Sequence, residues 1–303
     1  MRSLSSLGRY DMLFISPHLD DLALSCPARI MAERDDGKRI LCVTLFSHPG
    51  DADAGRFRRD IYEQRWAEEM KAYQILGVDL VLAGLLDAPF RSHGYRSFAD
   101  MLFRRDPADG SSLTEAIACM KEILHRCRPE MVIIPVGAGG HVDHRLSRDA
   151  CLEAGPLTIL LYEERPYCFV QDAVRLALAE LGATDRQDVT SECTLERAVD
   201  RHARSFFKAH YNRKLLKSRD RGQVAARARD AVRLAHQPLK PVTPQPRIYP
   251  SEILDTLCRV AACYGSQLPV LFGSEKGFSR MCSRYAGSLG HPGRYVECFW
   301  SID

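Results

Sequence analysis

No CxxC pair occurs among the eleven cysteines of this 303-residue sequence, and their number is odd. That argues against a disulfide framework. Several cysteines lie inside apolar runs, as Cys42 does in ILCVTLF, so reduced core residues in an intracellular protein are expected. No stretch approaches the roughly 18 consecutive apolar residues of a membrane span. The opening MRSLSSLGRYDMLFIS holds no apolar run of signal-peptide length, and a cytoplasmic protein is the expectation. Charge of one sign is also scarce, with a net of +3 and a pI near 8.3. That is too weak to imply nucleic acid as a partner, and the locally basic stretch Arg201–Arg233 reads as a solvated helical face. Internal repeats and low-complexity tracts are absent. No G-x-G-x-x-G turn follows the first apolar run. A carboxylate-rich turn stands there instead, which repels phosphates and argues against a nucleotide-binding protein without catalysis.

What is present is an ordinary globular composition, 46% hydrophobic and 27% charged, in a chain long enough to bury a full core. Short apolar runs alternate with helical patterns through the first half. Met12–Ser16, Arg39–Phe46, Asp79–Ala83, Met131–Val136 and Thr158–Tyr162 read as strands. Leu22–Arg34, Asp60–Leu76, Leu113–Cys127 and a segment starting at His144 read as helices, the second stopped by Gly77. This alternation predicts right-handed crossovers and a mostly parallel sheet, an α/β Rossmann-like three-layer sandwich. In the second half, Asp172–Leu181, Leu195–Asn212 and Ser251–Tyr264 look helical and Arg294–Trp300 reads as a closing strand. Five prolines between Gln237 and Pro250 predict an extended loop. The expectation is a single domain over 1–303, with the core and its site in 1–170 and a C-terminal elaboration in 171–303 that shapes the pocket.

Open α/β sheets bind ligands beyond the carboxyl ends of their strands. Two polar clusters fall at such places, Ser16-Pro17-His18-Leu19-Asp20-Asp21 after the first strand and Gly139-Gly140-His141-Val142-Asp143-His144 beyond the fourth. Strands one and four can be neighbours where the strand order reverses, so the clusters can meet. Zinc takes imidazole nitrogen and carboxylate oxygen, and a catalytic site keeps one position for water. His18, Asp21 and His144 supply such a set. Asp20 is then left beside the water as general base. His141 is left on the other side, able as an imidazolium to stabilise an oxyanion or to protonate a leaving amine, with Asp143 holding it and raising its pKa. Taken alone, an Asp-Asp pair after a strand is more often a helix cap, and an HxxH pair more often an exposed one. Together the clusters are far more specific.

At PHLDD (Pro17–Asp21) and HVDH (His141–His144) the chain resembles the N-acetylglucosaminyl-phosphatidylinositol deacetylase family, also called PIG-L or LmbE-like. The resemblance implies His18, Asp21 and His144 as zinc ligands, Asp20 as base, His141 as a second acid or electrostatic residue and Asp143 as its partner. It also implies that Arg65, in RWAEEMKAYQILGV, and Asp87, after the third strand, bind substrate. YEERPY (Tyr162–Tyr167), the run Tyr264–Gln267 and the ending YVECFW are similar to family segments as well. Leu19 and Leu22 depart from the common proline and glutamate, and Cys26-Pro27 falls where glycines often sit. The implied activity is zinc-dependent hydrolysis of an N-acyl amide, mainly acetyl, on an amino-sugar-like small molecule. Fe2+ or another divalent ion is an alternative to zinc. An amidase acting on a larger conjugate is the nearest rival. A homo-oligomer stays open.

Overall fold

The computed structural model describes residues 2–51, 53, 57–104, 106–155, 158–185, 192–209, 212–234 and 240–301. In chain order the first half holds β1 (Met12–Ser16), α1 (Asp21–Ser25), α2 (Pro27–Asp35), β2 (Ile40–Thr44), α3 (Ile61–Leu76), β3 (Asp79–Leu82), α4 (Ala88–Arg91), α5 (Ala108–Cys127), β4 (Met131–Pro135), α6 (Val142–Glu153) and β5 (Ile159–Tyr162). Then follow α7 (Ala173–Glu180), β6 (Ala183–Asp185), α8 (Glu192–Lys208), α9 (Asn212–Leu215), α10 (Arg221–Arg233), β7 (Lys240–Val242), β8 (Pro244–Pro250), α11 (Ile253–Ala262), α12 (Leu268–Leu271), α13 (Glu275–Ser288) and β9 (Arg294–Ser301).

The main sheet runs β3-β2-β1-β4-β5-β9-β8. The pairs from β3 to β5 are parallel, and β9 and β8 are antiparallel additions. Apolar runs such as MLFIS and ILCVT form central strands because both faces of a parallel sheet are covered by helices. In β1, Leu13 and Ile15 enter one core while Met12 and Phe14 enter the other. Each such side chain, once buried, contributes about 1.5–3 kcal/mol. The architecture is the three-layer sandwich read from the sequence. The β1–β4 contact, with Phe14 opposite Ile133, brings the two polar clusters to one sheet edge.

Three local readings change. Leu22–Arg34 is two helices, broken at Cys26 (φ −123°, ψ 20°), because Pro27 lacks an N–H and drives the residue before it out of the helical region. The freed Ala28 and Arg29 N–H groups donate to the Glu297 carboxylate at 2.8 and 2.9 Å. The helix begun at Leu113 starts earlier, at Ala108. The proline-rich loop is in part a strand, since β8 pairs with β9 along its length, Pro244 opposite Trp300 and Pro250 opposite Arg294. It is the edge strand, where proline is tolerated. Residues 237–239 of that loop and 210–211 of the Leu195–Asn212 helix lie outside the described residues. Among the described residues, no helix is long and apolar enough to cross a membrane.

Candidate active site

β1 ends at Ser16, whose Oγ donates to the His18 carbonyl at 2.6 Å and accepts the Leu22 N–H at 3.3 Å. These bonds curl the chain into α1 and set the PHLDD side chains around its first turn. Asp20 sits there with φ 114°, a left-handed value that strains any residue carrying a Cβ. Beyond β4, three glycines at positive φ (Gly137, Gly139 and Gly140) turn the chain into α6. A Cβ on Gly139 would overlap the Tyr167 ring, and one on Gly140 would overlap Phe103.

The turns bring His18, Asp21 and His144 together. His18 Nδ1 lies 3.3 Å, and His144 Nε2 3.4 Å, from the same Asp21 oxygen. Donors about 2.0–2.1 Å from a tetrahedral ion stand about 3.3–3.4 Å apart, and these two separations from Asp21 match that. The outward nitrogens are held as well. His18 Nε2 meets Asp143 Oδ2 at 3.0 Å, and His144 Nδ1 meets Glu164 Oε1 at 3.1 Å. Carboxylates in that position fix the ring and tautomer of metal-binding histidines. Glu164 also accepts the Gly137 and Ala138 N–H groups at 2.7 and 3.3 Å, tying the glycine turn to the end of β5.

Charge favours a cation here. Asp20, Asp21, Asp87, Asp143 and Glu164 are buried, and the guanidinium groups among them are Arg65 and Arg91. Burial alone would push His18 down, but Asp87, Asp143 and Asp21 outweigh it and hold its pKa well above the usual imidazole value. The site thus gathers positive charge even on a proton. Burial likewise opposes ionisation of Asp21, yet His144 and His18 hold it at about 2. Burial pushes Asp20 well above the carboxylate range, with the Asp21 charge adding and Arg65 opposing.

Among the described residues, two sets bring one ligand atom from each member within 4.8 Å of one another, His18–His141–His144 and His18–Asp87–Asp143. The second also faces Arg91, whose Nη2 is 2.6 Å from Asp143, and a fixed cation there opposes a metal ion.

Asp143 and His141 differ from expectation. The Asp143 carboxylate reaches His18, Arg91 and the Ala88 N–H (2.9 Å), while only its backbone N–H reaches His141, at Nδ1 and 3.3 Å. Burial and the His18 charge press the His141 pKa down to about 3, and Asp143 fails to reverse them. Burial thus favours the neutral form of His141 over the imidazolium expected.

Residues 13–155 match the family described as PIG-L: GlcNAc-PI de-N-acetylase. That region of the chain is similar to the PIG-L family. A 2'-N-acetylparomamine deacetylase of Streptomyces fradiae is 32% identical over 177 residues, 55% of this chain and 61% of the relative. One of the same description from Niallia circulans is 28% identical over 197 residues, 54% of this chain and 71% of the relative. This chain thus matches less than two thirds of the first relative's length. A deacetylase of the teicoplanin biosynthesis pathway, solved as a bog complex, superposes with a TM-score of 0.65 at 19% identity over 96% of this chain and 97% of its own. That likeness shows the shared fold.

A cavity of about 700 Å3 opens on the site, lined among others by His18, Asp20, Asp21, Arg65, Asp87, His141 and His144. Arg65 donates to the Leu19 carbonyl at 3.1 Å and stands 4.0 Å from Asp87, while its Nε has no hydrogen-bond partner. Asp87 accepts from Tyr62 and lies 3.5 Å from His18 Nε2. It therefore touches a proposed ligand as well as the cavity. His48 is spent on a turn, its Nδ1 accepting the Gly50 N–H at 3.0 Å. Arg96 is an exposed side chain bonded to the His93 carbonyl. Tyr167 packs on the His144 ring at 5.2 Å between centroids.

Sequence reasoning missed Glu164, Arg91 and Tyr62. Glu163-Glu164 directly follows the fifth strand, so the rule that exposed the other two clusters also pointed to Glu164. Arg91 and Tyr62 carry no comparable signal, because their partners are distant in sequence.

Proposed function

We propose that this protein hydrolyses an N-acyl amide, an N-acetyl group in the first instance, on an amino-sugar-containing small molecule, with zinc held by His18, Asp21 and His144. The carrying observation is the pair of imidazoles whose outward nitrogens are fixed by Asp143 and Glu164. Their inward nitrogens meet one Asp21 oxygen, beside the spare carboxylate of Asp20. The PIG-L match and the deacetylase relatives support the activity. Zinc bound there would polarise the acyl carbonyl and lower the pKa of a water molecule.

The chain's own groups do the rest. Asp20 takes the proton from the attacking water and returns it to the departing nitrogen, so the amide C–N bond breaks and a carboxylic acid and an amine leave. His141 accepts the Asp143 N–H at Nδ1, which puts its own proton on Nε2. As a neutral donor it stabilises the charge growing on the acyl oxygen. Asp143, fixed by Arg91, orients His18 rather than His141. Arg65, which lines the cavity, positions a substrate oxygen, and Asp87 serves both substrate and His18.

The test is metal content and amine release from N-acetylglucosamine derivatives, before and after chelation. About one zinc per chain is expected in the wild type and loss of it in His144→Ala. Asp20→Asn should keep the metal and lose about 10²–10⁴-fold in rate. A well-folded wild type that takes up no metal when zinc is offered refutes the reading. Full activity in metal-loaded Asp20→Asn refutes the base.

A further inference from the structure

Arg91 ends α4, and oxygens from three places along the chain hold its guanidinium. Its Nη2 donates to Asp143 Oδ1 at 2.6 Å and to Asp109 Oδ1 at 3.1 Å. Its Nε donates to the same Asp109 oxygen at 3.2 Å, and its Nη1 to the Leu86 carbonyl at 2.9 Å. The guanidinium also lies over the Phe46 ring, 5.2 Å from its centroid. Asp109, in the first turn of α5, is equally confined. Its other oxygen accepts the Tyr95 hydroxyl at 2.5 Å and the Asp106 N–H at 2.7 Å. The side chains of Arg91, Asp109 and Asp143 are only 4%, 7% and 0% exposed, so salt and water screen them little.

From the site outwards the buried row reads His18, Asp143, Arg91, Asp109, with contacts of 3.0, 2.6 and 3.1 Å. A cation on His18 makes the charges of this row alternate, and they then sum to zero. A carboxylate bonded to a metal-binding histidine fixes the ring and raises its basicity. Arg91 works against the second effect, because its positive charge neutralises Asp143. Asp109 offsets that charge while holding the guanidinium in place. Among the described residues that line the cavity, Arg91 and Asp109 do not figure, so neither meets the substrate there. We infer that Asp109 is a positioning residue of the site: by sharing Arg91 with Asp143 it leaves the Asp143 charge to His18 and so strengthens the hold on a divalent cation. The inference rests on the proposed role of His18 as a ligand and extends the control of that site to α5.

The experiment is a double-mutant cycle on zinc affinity, read by competition with a chromogenic chelator and independent of turnover. Asp109→Asn should weaken zinc binding by about tenfold, the lower end of the effect of removing a direct partner of a ligand. In an Arg91→Gln background the same substitution should change the affinity little, since the charge that Asp109 offsets is gone. Unchanged affinity in Asp109→Asn overturns the inference, and so does an equal loss in both backgrounds, which is what a purely structural Asp109 would give. Each Asp109 oxygen accepts two donors, so an asparagine amide must face some of them and the single variant can fail to fold. The double variant removes the ion pair whole, which buried pairs tolerate better than loss of one partner. A double variant that folds and binds zinc as Arg91→Gln does supports the inference; weaker binding than Arg91→Gln overturns it. A wild type that takes up no zinc sinks the proposed metal site itself. Zinc bound equally by wild type and Asp109→Asn sinks only the role of Asp109.

Discussion

Asp20 gives an unusual forecast about stability. Its φ of 114° is reached readily by glycine, while a residue with a Cβ pays about 1–3 kcal/mol there. Against this, glycine loses about 0.5–1 kcal/mol more chain entropy on folding than alanine. The difference leaves Asp20→Gly more stable than Asp20→Ala by up to about 2.5 kcal/mol. At an ordinary helical position such as Ala150, which is buried in α6, the order is reversed and glycine is worse. Urea unfolding of both Asp20 variants, with Ala150→Gly as control, would be followed by fluorescence in chelator, so that metal affinity does not enter. Both Asp20 variants should be inactive when loaded. An Asp20→Ala protein at least as stable as Asp20→Gly would refute the argument that the base is held in a strained backbone.

Glu164→Gln should weaken zinc binding by 10–100-fold, measured by competition with a chromogenic chelator, because its carboxylate holds His144 and the glycine turn. Gly139→Ala should destabilise by more than about 2 kcal/mol, as both its positive φ and the Tyr167 ring exclude a Cβ; thermal unfolding checks it. His202 is buried between Phe103 and Phe206, and burial, opposed by the Gln171 carbonyl, pushes its pKa down to about 4. The unfolded chain then binds the extra proton, so stability falls as pH drops from about 6.5 towards 4, by at most about 3 kcal/mol. His202→Leu should flatten that part of the urea midpoint's pH profile, and an unchanged profile would show that His202 is not the titrating group.

The five parallel strands were legible because each is a short apolar run needed on both faces, and the rule about strand ends then located PHLDD and HVDH. What failed depended on partners far along the chain. Asp143 lies two residues from His141 in sequence, yet its carboxylate finds His18 and Arg91, because α6 starts by turning it towards β1. The protonation of His141 follows from burial and from the His18 charge, neither of which is written in HVDH. The break at Cys26 was readable from Pro27 alone and was passed over in favour of the longer apolar pattern. The helix Glu275–Ser288 went unassigned, and β8 was misjudged because proline normally counts against a strand.

Pro244, Pro246 and Pro250 share one parity along β8. Alternate residues of an antiparallel strand turn their N–H groups to opposite sides. With the intervening residues facing β9, the outward series is Pro244, Pro246, Ile248 and Pro250, which leaves Ile248 as its lone donor. A foreign strand that tried to extend the sheet on this side would find almost no hydrogen-bond donors to read. The molecule closes its own growing end in this way, and self-association across that border would have to rely on side chains rather than on a shared ladder.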